Sequence, residues 1–194
     1  MPKDDLIQHS VLIISASDQF DGLVKQSLSP RTFMSVEFRR SASQARRCIL
    51  ERFYDLVIID APLPDENGVE ISLDVVDNSN ASVLLVVPKE FSEDALEMVT
   101  DYGVLVLPKP FHKGRLDKAI RFLSAMQNKI RGYEKKIRSM QEKAEDMRII
   151  NKAKFLLVEK KKMTEDEAHR FIGKTAMDNG ISRKSAAGRI LDDL

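Results

Sequence analysis

DLVIIDAPLPDENG, residues 55–68, is the stretch whose reading decides the fold. Leu56–Ile59 is a short unbroken apolar run, the mark of a strand buried on both faces. It ends on a carboxylate, Asp60. The loop APLPDEN follows, rich in residues that punctuate regular structure, and Gly68 opens a short helix. A buried strand that stops at an acid and enters a loop places that acid at the carboxyl edge of a sheet, where α/β folds hold their ligands.

Working outward, the same alternation repeats. Val11–Ser15 and Val83–Val87 are further buried strands, and Val104–Leu107 is the last. Met34–Arg39 alternates, with Val36 and Phe38 on one face, as a more exposed strand does. Ser17 caps a helix that ends near Ser29 and Pro30. Ser41 or Ser43 starts another, with Ala45, Cys48, Ile49 and Phe53 on one face. Ser92 caps a third, carrying Ala95, Leu96 and Val99. Five β-α units with apolar strands predict a doubly wound five-stranded parallel sheet. Its carboxyl edge is built from Ser15, Ala16, Asp60, Val87, Pro88 and Lys109.

Beyond the sheet, Lys113–Lys162 contains no proline. Leu123, Ile130, Ile137 and Ala144 recur every seven residues, with Met126, Tyr133, Met140 and Met147 three places after each. That is an a/d seam over about four heptads, flanked by Lys, Arg and Glu. If helical throughout, the stretch spans roughly 75 Å, too long for one small domain to bury. Such a rod joins two domains, and its seam calls for a partner helix; the plainer alternative is an amphipathic helix lying on its own domain.

Past the seam, three helices are expected. The end of the rod offers Ala153, Leu156 and Leu157. Thr164-x-x-Glu167 is a capping box opening a second helix, with Ala168, Phe171, Ile172 and Thr175/Ala176 apolar. Asn179-Gly180 ends it. Ser182 opens a third, with Ala186, Ile190 and Leu194 on one face. Arg170, Lys174, Arg183, Lys184 and Arg189 lie on the polar faces of the last two helices, and Lys152 and Lys154 on the rod. Side chains of this kind neutralise phosphates, and Arg also stacks on or hydrogen-bonds unpaired bases.

Charge divides the same way. The chain's net +1 hides ten Lys/Arg against eighteen Asp/Glu in residues 1–112, and twenty-one against twelve in residues 113–194. A first half at −8 and a second at +9 point to a polyanionic partner for the second half; solvation of a helix, or attraction between the halves, is the plainer reading. The N-terminus has no apolar run of signal-peptide length, and nothing approaches the ~20 apolar residues that span a membrane. A lone Cys48 excludes an internal disulfide and fits a reduced, cytoplasmic setting. The three histidines show no metal-ligand spacing.

DLVIIDAPLPDENG, followed by LPKPF ending at Phe111, resembles the receiver domain of two-component response regulators over about residues 10–123. The resemblance implies a flavodoxin-like fold, with Asp60 as phosphoacceptor and Lys109, before a cis Pro110, reading the phosphoryl charge. Receivers hold Mg²⁺ with an acidic pair after the first strand; Ser15 and Ala16 stand there. They place Thr or Ser at the end of the fourth strand; Val87 stands there. Asp60 with the Pro62 carbonyl is a poor cage for an ion that favours octahedral oxygen ligation, leaving at most a weak Mg²⁺ site. Phosphoryl transfer leans on metal and positioned charge, so little phosphorylation is expected. Asp60 then serves as a carboxylate paired with Lys109 that holds the loops together.

The C-terminal segment is similar to the ANTAR domain of bacterial antitermination regulators. Ala153-Lys154, Met163-Thr164-Glu165-Asp166-Glu167-Ala168 and Lys174-Thr175-Ala176-Met177-Asp178 carry the match. This implies a cytoplasmic, non-enzymatic homodimer, joined by the coiled coil, that binds RNA hairpins in nascent leader transcripts. No cofactor is implied. A sensor kinase or a sequestering partner protein stands as its regulator. The organisation expected is a receiver-like domain at 1–123, a coiled-coil linker helix at 124–150 and an all-α three-helix ANTAR domain at 134–194. The rival reading is a DNA-binding response regulator, since 164–190 also has a helix-turn-helix look; a third is a pure interaction protein.

Overall fold

The structure is a computed structural model and describes residues 8–193. The expectation drawn from residues 1–7 and the place given to Leu194 lie outside the described residues. The chain divides into two compact units, Met1–Arg131 and Gly132–Leu194.

In the first unit, strands β1 (His9–Ile14), β2 (Phe33–Arg39), β3 (Leu56–Asp60), β4 (Ser82–Pro88) and β5 (Leu105–Lys109) form one sheet. All neighbours are parallel, in the order β2-β1-β3-β4-β5. Helices α1 (Asp18–Ser27), α2 (Ala42–Glu51), α3 (Val69–Asn78) and α4 (Ser92–Val99) alternate with them, and α5 (Lys113–Lys161) leaves the last strand. The apolar runs are the buried strands for a simple reason. Successive side chains point to opposite faces, so Leu12, Ile14, Val57, Ile59 and Leu85 fill one core. Val11, Ile13, Ile58, Leu84 and Val86 fill the other, against Leu116, Ile120 and Leu123 of α5. Each fully buried aliphatic contributes about 1.5–3 kcal/mol.

Helix starts follow their caps. Ser17, Ser41, Thr164 and Ser182 each accept a hydrogen bond from the backbone three residues on. Ser92 is different: it is the first residue of α4, preceded by a 3-10 turn (Lys89–Phe91), and its hydroxyl donates to the Lys89 carbonyl rather than capping. Gly68 takes a left-handed φ of 92°, and a Cβ there would meet Ala61 Cβ at 2.9 Å, so the β3–α3 turn needs glycine. Phe53 departs from the expected face. The helix stops at Glu51 and Arg52 is extended, which leaves Phe53 90% exposed.

In the second unit, the last part of α5 packs on α6 (Glu165–Asp178) and α7 (Arg183–Asp192). Ala153, Leu157, Ala168, Ile172, Ala176, Ala186, Ala187 and Ile190 make its core. Phe171, expected on the buried face of α6, is exposed. The buried positions recur at 168, 172 and 176, and 171 turns away from them. Small alanines at the contacts let the three helices approach closely, which short helices need because none is stable alone.

Candidate functional site

The first candidate site is the carboxyl edge of the sheet. Asp60 ends β3 and is 5% exposed. Parallel pairing with β1 brings Ser15, one residue past that strand, alongside. The Ser15 hydroxyl donates to Asp60 Oδ2 at 2.8 Å. Lys109, the last residue of β5, places Nζ 2.5 Å from Asp60 Oδ1 and donates to the Ala61 carbonyl at 2.8 Å. The Ala61-Pro62 and Lys109-Pro110 bonds are both cis. Val87 is buried and presents no hydroxyl. Beside these groups lies an open cleft of about 680 Å³, lined by Asp18, Phe20, Asp60, Lys109, Pro110 and Phe111 among others.

Two features here were not foreseen. Arg40 follows β2, which neighbours β1, and its guanidinium donates to the Ser15 carbonyl at 3.1 Å. It also pairs with Asp18 at 2.7 Å and Asp21 at 2.8 Å. Arg40 joins the site only because β2 lies beside β1 in the sheet, which sets their carboxyl ends side by side. The second feature is the loop after Asp60. Asp65 accepts from the backbone of Ala42 and Ser43, both at 2.9 Å, at the start of α2. Those hydrogen bonds hold its carboxyl below the usual range. Arg46 clamps Glu66 and Asp74, each at 2.7 Å.

These residues do not fit Mg²⁺. One carboxylate faces the site, with an ammonium on one oxygen and a hydroxyl on the other. The nearby acids Asp18 and Asp21 are taken by Arg40, and Ala16 offers no ligand. Among the described residues no group of three or more His, Cys, Asp or Glu is placed to hold a metal. What the arrangement does chemically is neutralise a buried carboxylate and tie three strand ends together.

The second candidate site is the basic surface of the Gly132–Leu194 unit. Lys152, Arg170, Lys174, Arg183 and Arg189 are exposed. Arg183 leans on α6: its guanidinium lies 4.0 Å from where a Cβ on Gly173 would sit, one turn from Arg170. Two of the expected contacts are instead engaged within the unit. Lys154 pairs with Glu165 at 2.9 Å and its side chain is largely covered. Lys184 pairs with Asp146 at 2.8 Å, which raises its pKa above the ordinary lysine value.

Comparison with known proteins divides the chain in the same places. Residues 11–121 match the response regulator receiver domain, and residues 138–191 match the ANTAR domain. The transcriptional regulatory protein PdtaR of Mycobacterium tuberculosis is 31% identical over 142 residues, covering 72% of this chain and 68% of PdtaR. Protein PetR of Rhodobacter capsulatus is 26% identical over 106 residues, 55% of this chain and 44% of PetR. The receiver domain of an HD domain-containing protein from Pseudomonas fluorescens Pf-5 superposes with a TM-score of 0.58 at 21% identity, over 68% of this chain and 98% of that one. A CheY-like receiver from Methanospirillum hungatei JF-1 gives 0.56 at 21% identity, over 63% and 98%. Both solved structures speak to the fold alone.

Proposed function

The chain belongs to the response regulators that couple a receiver domain to an ANTAR domain, and from that premise we propose that it binds hairpins of nascent leader RNA and prevents termination. The family is one of transcriptional regulators, not enzymes. The observation that carries the RNA reading is the row of exposed cations on α6 and α7: Arg170, Lys174, Arg183 and Arg189, in the half of the chain with net charge +9. Arg183 lies against α6 beside Gly173, so cations of α7 and α6 contribute to one surface. Lys152 adds to the same electrostatic field; Lys154 and Lys184 act mainly within the unit, through Glu165 and Asp146.

The protein acts as a homodimer through the a/d seam of α5. It works in the cytoplasm, where nascent RNA is made, and among the described residues no helix is long and apolar enough to cross a membrane. The receiver serves as a control domain, with the Asp60–Lys109–Ser15 cluster as a fixed tie rather than an efficient phosphoacceptor. A sequestering protein partner suits such a receiver better than a sensor kinase does.

Gel shifts with a leader hairpin and with duplex DNA test this reading. Lys174→Ala should weaken hairpin binding uniformly across loop sequences and reduce the salt dependence by roughly one ion. Arg183→Ala should instead narrow the difference between loop sequences, because guanidinium reads base edges. Binding of duplex DNA in preference to every hairpin would favour the DNA-binding alternative and sink the antitermination reading.

A further inference from the structure

Cys48 stands on α2, half-buried and packed against the core beneath that helix. Arg39, at the end of β2, donates from Nε to Cys48 Sγ at 2.7 Å. Its Nη1 donates to the Phe38 carbonyl at 2.7 Å and its Nη2 to Glu37 at 2.9 Å. Arg52 holds the other Glu37 oxygen at 2.7 Å. Two guanidinium groups therefore share one carboxylate, and the cluster carries one positive charge in excess. One of those cations is turned on a thiol sulfur, which accepts hydrogen bonds only weakly. An anionic sulfur accepts them well and cancels the excess. Reactive cysteines occupy such places, partly exposed and beside an arginine.

Tyr54 is the second sign of a built site. It is 7% exposed, and its hydroxyl faces Glu37 and Cys48 without closing a hydrogen bond to either. A buried hydroxyl left unmet is costly, and natural interiors rarely tolerate one without a use. Burial, with Glu37 and Cys48 beside it, pushes the phenol up to about 12, so it stays a proton donor in neutral solution. Two donors, Arg39 Nε–H and Tyr54 O–H, thus converge on one sulfur.

We propose that Cys48 is a site of reversible oxidation by hydroperoxides, its sulfenate held between Arg39 and Tyr54. The Cys48 proton passes to water. The sulfur then attacks one peroxide oxygen; the S–O bond forms as the O–O bond breaks, and the departing hydroxide takes up a proton and leaves as water. Sulfur is oxidised by two electrons and the peroxide is reduced by two. The new oxygen accepts from Tyr54, and Arg39 balances its charge. Cys48 is the chain's one cysteine, so no second thiol of the same chain resolves the product. A small free thiol does: its sulfur bonds to Cys48 and the oxygen leaves as water. A second small thiol then releases Cys48 and carries off the small-molecule disulfide. Oxidation here gives the receiver an input at α2 that draws on neither Asp60 nor a metal, and it is independent of RNA binding.

The test uses the full chain. Hydrogen peroxide is added with dimedone, which traps sulfenic acids, and the products are read by mass spectrometry. Label should fall on Cys48 and vanish in Cys48→Ser. The thiol should react about tenfold or more faster than free glutathione at the same pH. Arg39→Lys keeps a positive charge but loses the planar fork that reaches sulfur, and should slow the oxidation about tenfold. Tyr54→Phe removes only the unmet hydroxyl, so the fold should stand; the sulfenate, with dimedone added after the peroxide is removed, should then decay about threefold or more faster than in the wild type. A wild-type rate no greater than that of glutathione overturns the proposal, and so does a sulfenate lifetime unchanged by Tyr54→Phe. Neither result depends on whether Arg39→Lys folds; a folded Arg39→Lys that oxidises at the wild-type rate also overturns it.

Discussion

Lys109→Met and Asp60→Asn break the same ion pair from opposite sides, and the structure predicts unequal costs. The Asp60 side chain is 6% exposed and that of Lys109 is 32% exposed. Removing Lys109 strands a buried carboxylate with only the Ser15 hydroxyl to satisfy it, and stranding one member of a buried pair costs about 3–5 kcal/mol. Asp60→Asn removes the charge but keeps an oxygen for the Ser15 donor. Lys109 is then left cationic at a position already one-third in water, and keeps its bond to the Ala61 carbonyl. That cost should be about 1.5–3 kcal/mol, the scale of one lost hydrogen bond to a charged group. The double variant should be less destabilised than Lys109→Met alone, because the stranded charge is gone. Native-state hydrogen exchange of the β3 amides reads this, since the central strand reports opening of the first unit without interference from the second. The reasoning fails if Asp60→Asn costs as much as Lys109→Met, or if the double variant is the least stable of the three.

Further predictions concern the same unit. Incubation with acetyl phosphate and Mg²⁺ should label the wild type little or not at all, whereas Ser15→Asp with Ala16→Asp should create a carboxylate set and raise labelling, read by mass spectrometry; stoichiometric wild-type labelling that vanishes in Asp60→Asn would refute this. His9 is buried beside Asp55 and Arg131; burial lowers its pKa, Asp55 opposes the shift and Arg131 adds to it. The unfolded chain therefore binds the proton first, so the stability that neutral His9 contributes is present above about pH 6.5 and is lost as pH falls below it. Protection of the β1 amides, corrected for the slower intrinsic exchange at lower pH, should fall between about pH 7.5 and 5.5, and less so in His9→Asn; identical profiles for the two proteins would count against it.

The sheet was legible because its strands are apolar runs separated by serine caps, both local signals. Ser17, Ser41 (with Ser43 as its alternative), Thr164 and Ser182 each announce a helix that begins at the next residue, and in the structure all four cap one. Ser92 misled because a 3-10 turn absorbs the cap position, and such a turn differs from a helix start only in one hydrogen bond. Phe53 and Phe171 misled because an apolar residue near a helix end is buried only if a neighbour reaches it, which periodicity does not report. At the site, Asp60 and Lys109 were legible as strand ends, and their pairing was expected from the resemblance to receiver domains; the structure places Lys109 Nζ on Asp60. Arg40 was not legible, since its partners Asp18, Asp21 and the Ser15 carbonyl lie about twenty residues away on another strand–helix corner. Lys154 and Lys184 read as surface cations for the same reason: Glu165 and Asp146 neutralise them only once the three helices have packed.

The way α5 is fastened bears on how the receiver exerts control. Arg131 pairs with Asp55, just before β3, and Gln127 accepts from Ser82 at the start of β4 and donates to the Asn80 carbonyl. These ties sit at the amino ends of the strands, the edge opposite Asp60. A phosphoryl group on Asp60 would have to bias α5 through the thickness of a sheet whose β3 and β4 residues are almost all fully buried, and whose acceptor edge is already clamped by Lys109, Ser15 and Arg40. A ligand shifts an equilibrium only by its differential affinity for two states, and close-packed strands offer few alternatives. A protein that bound the exposed seam of α5, by contrast, would compete directly with the proposed dimerisation and need no transmission at all. Under the proposed function, control by occupancy of that helix is the simpler physical route, and Arg131→Ala separates the two routes. Loosening the amino-edge tie should raise hydrogen exchange in α5 near residues 124–131 while leaving cross-linking of Ile137→Cys unchanged; loss of that cross-link would mean that the receiver's grip on α5, rather than its seam alone, governs assembly.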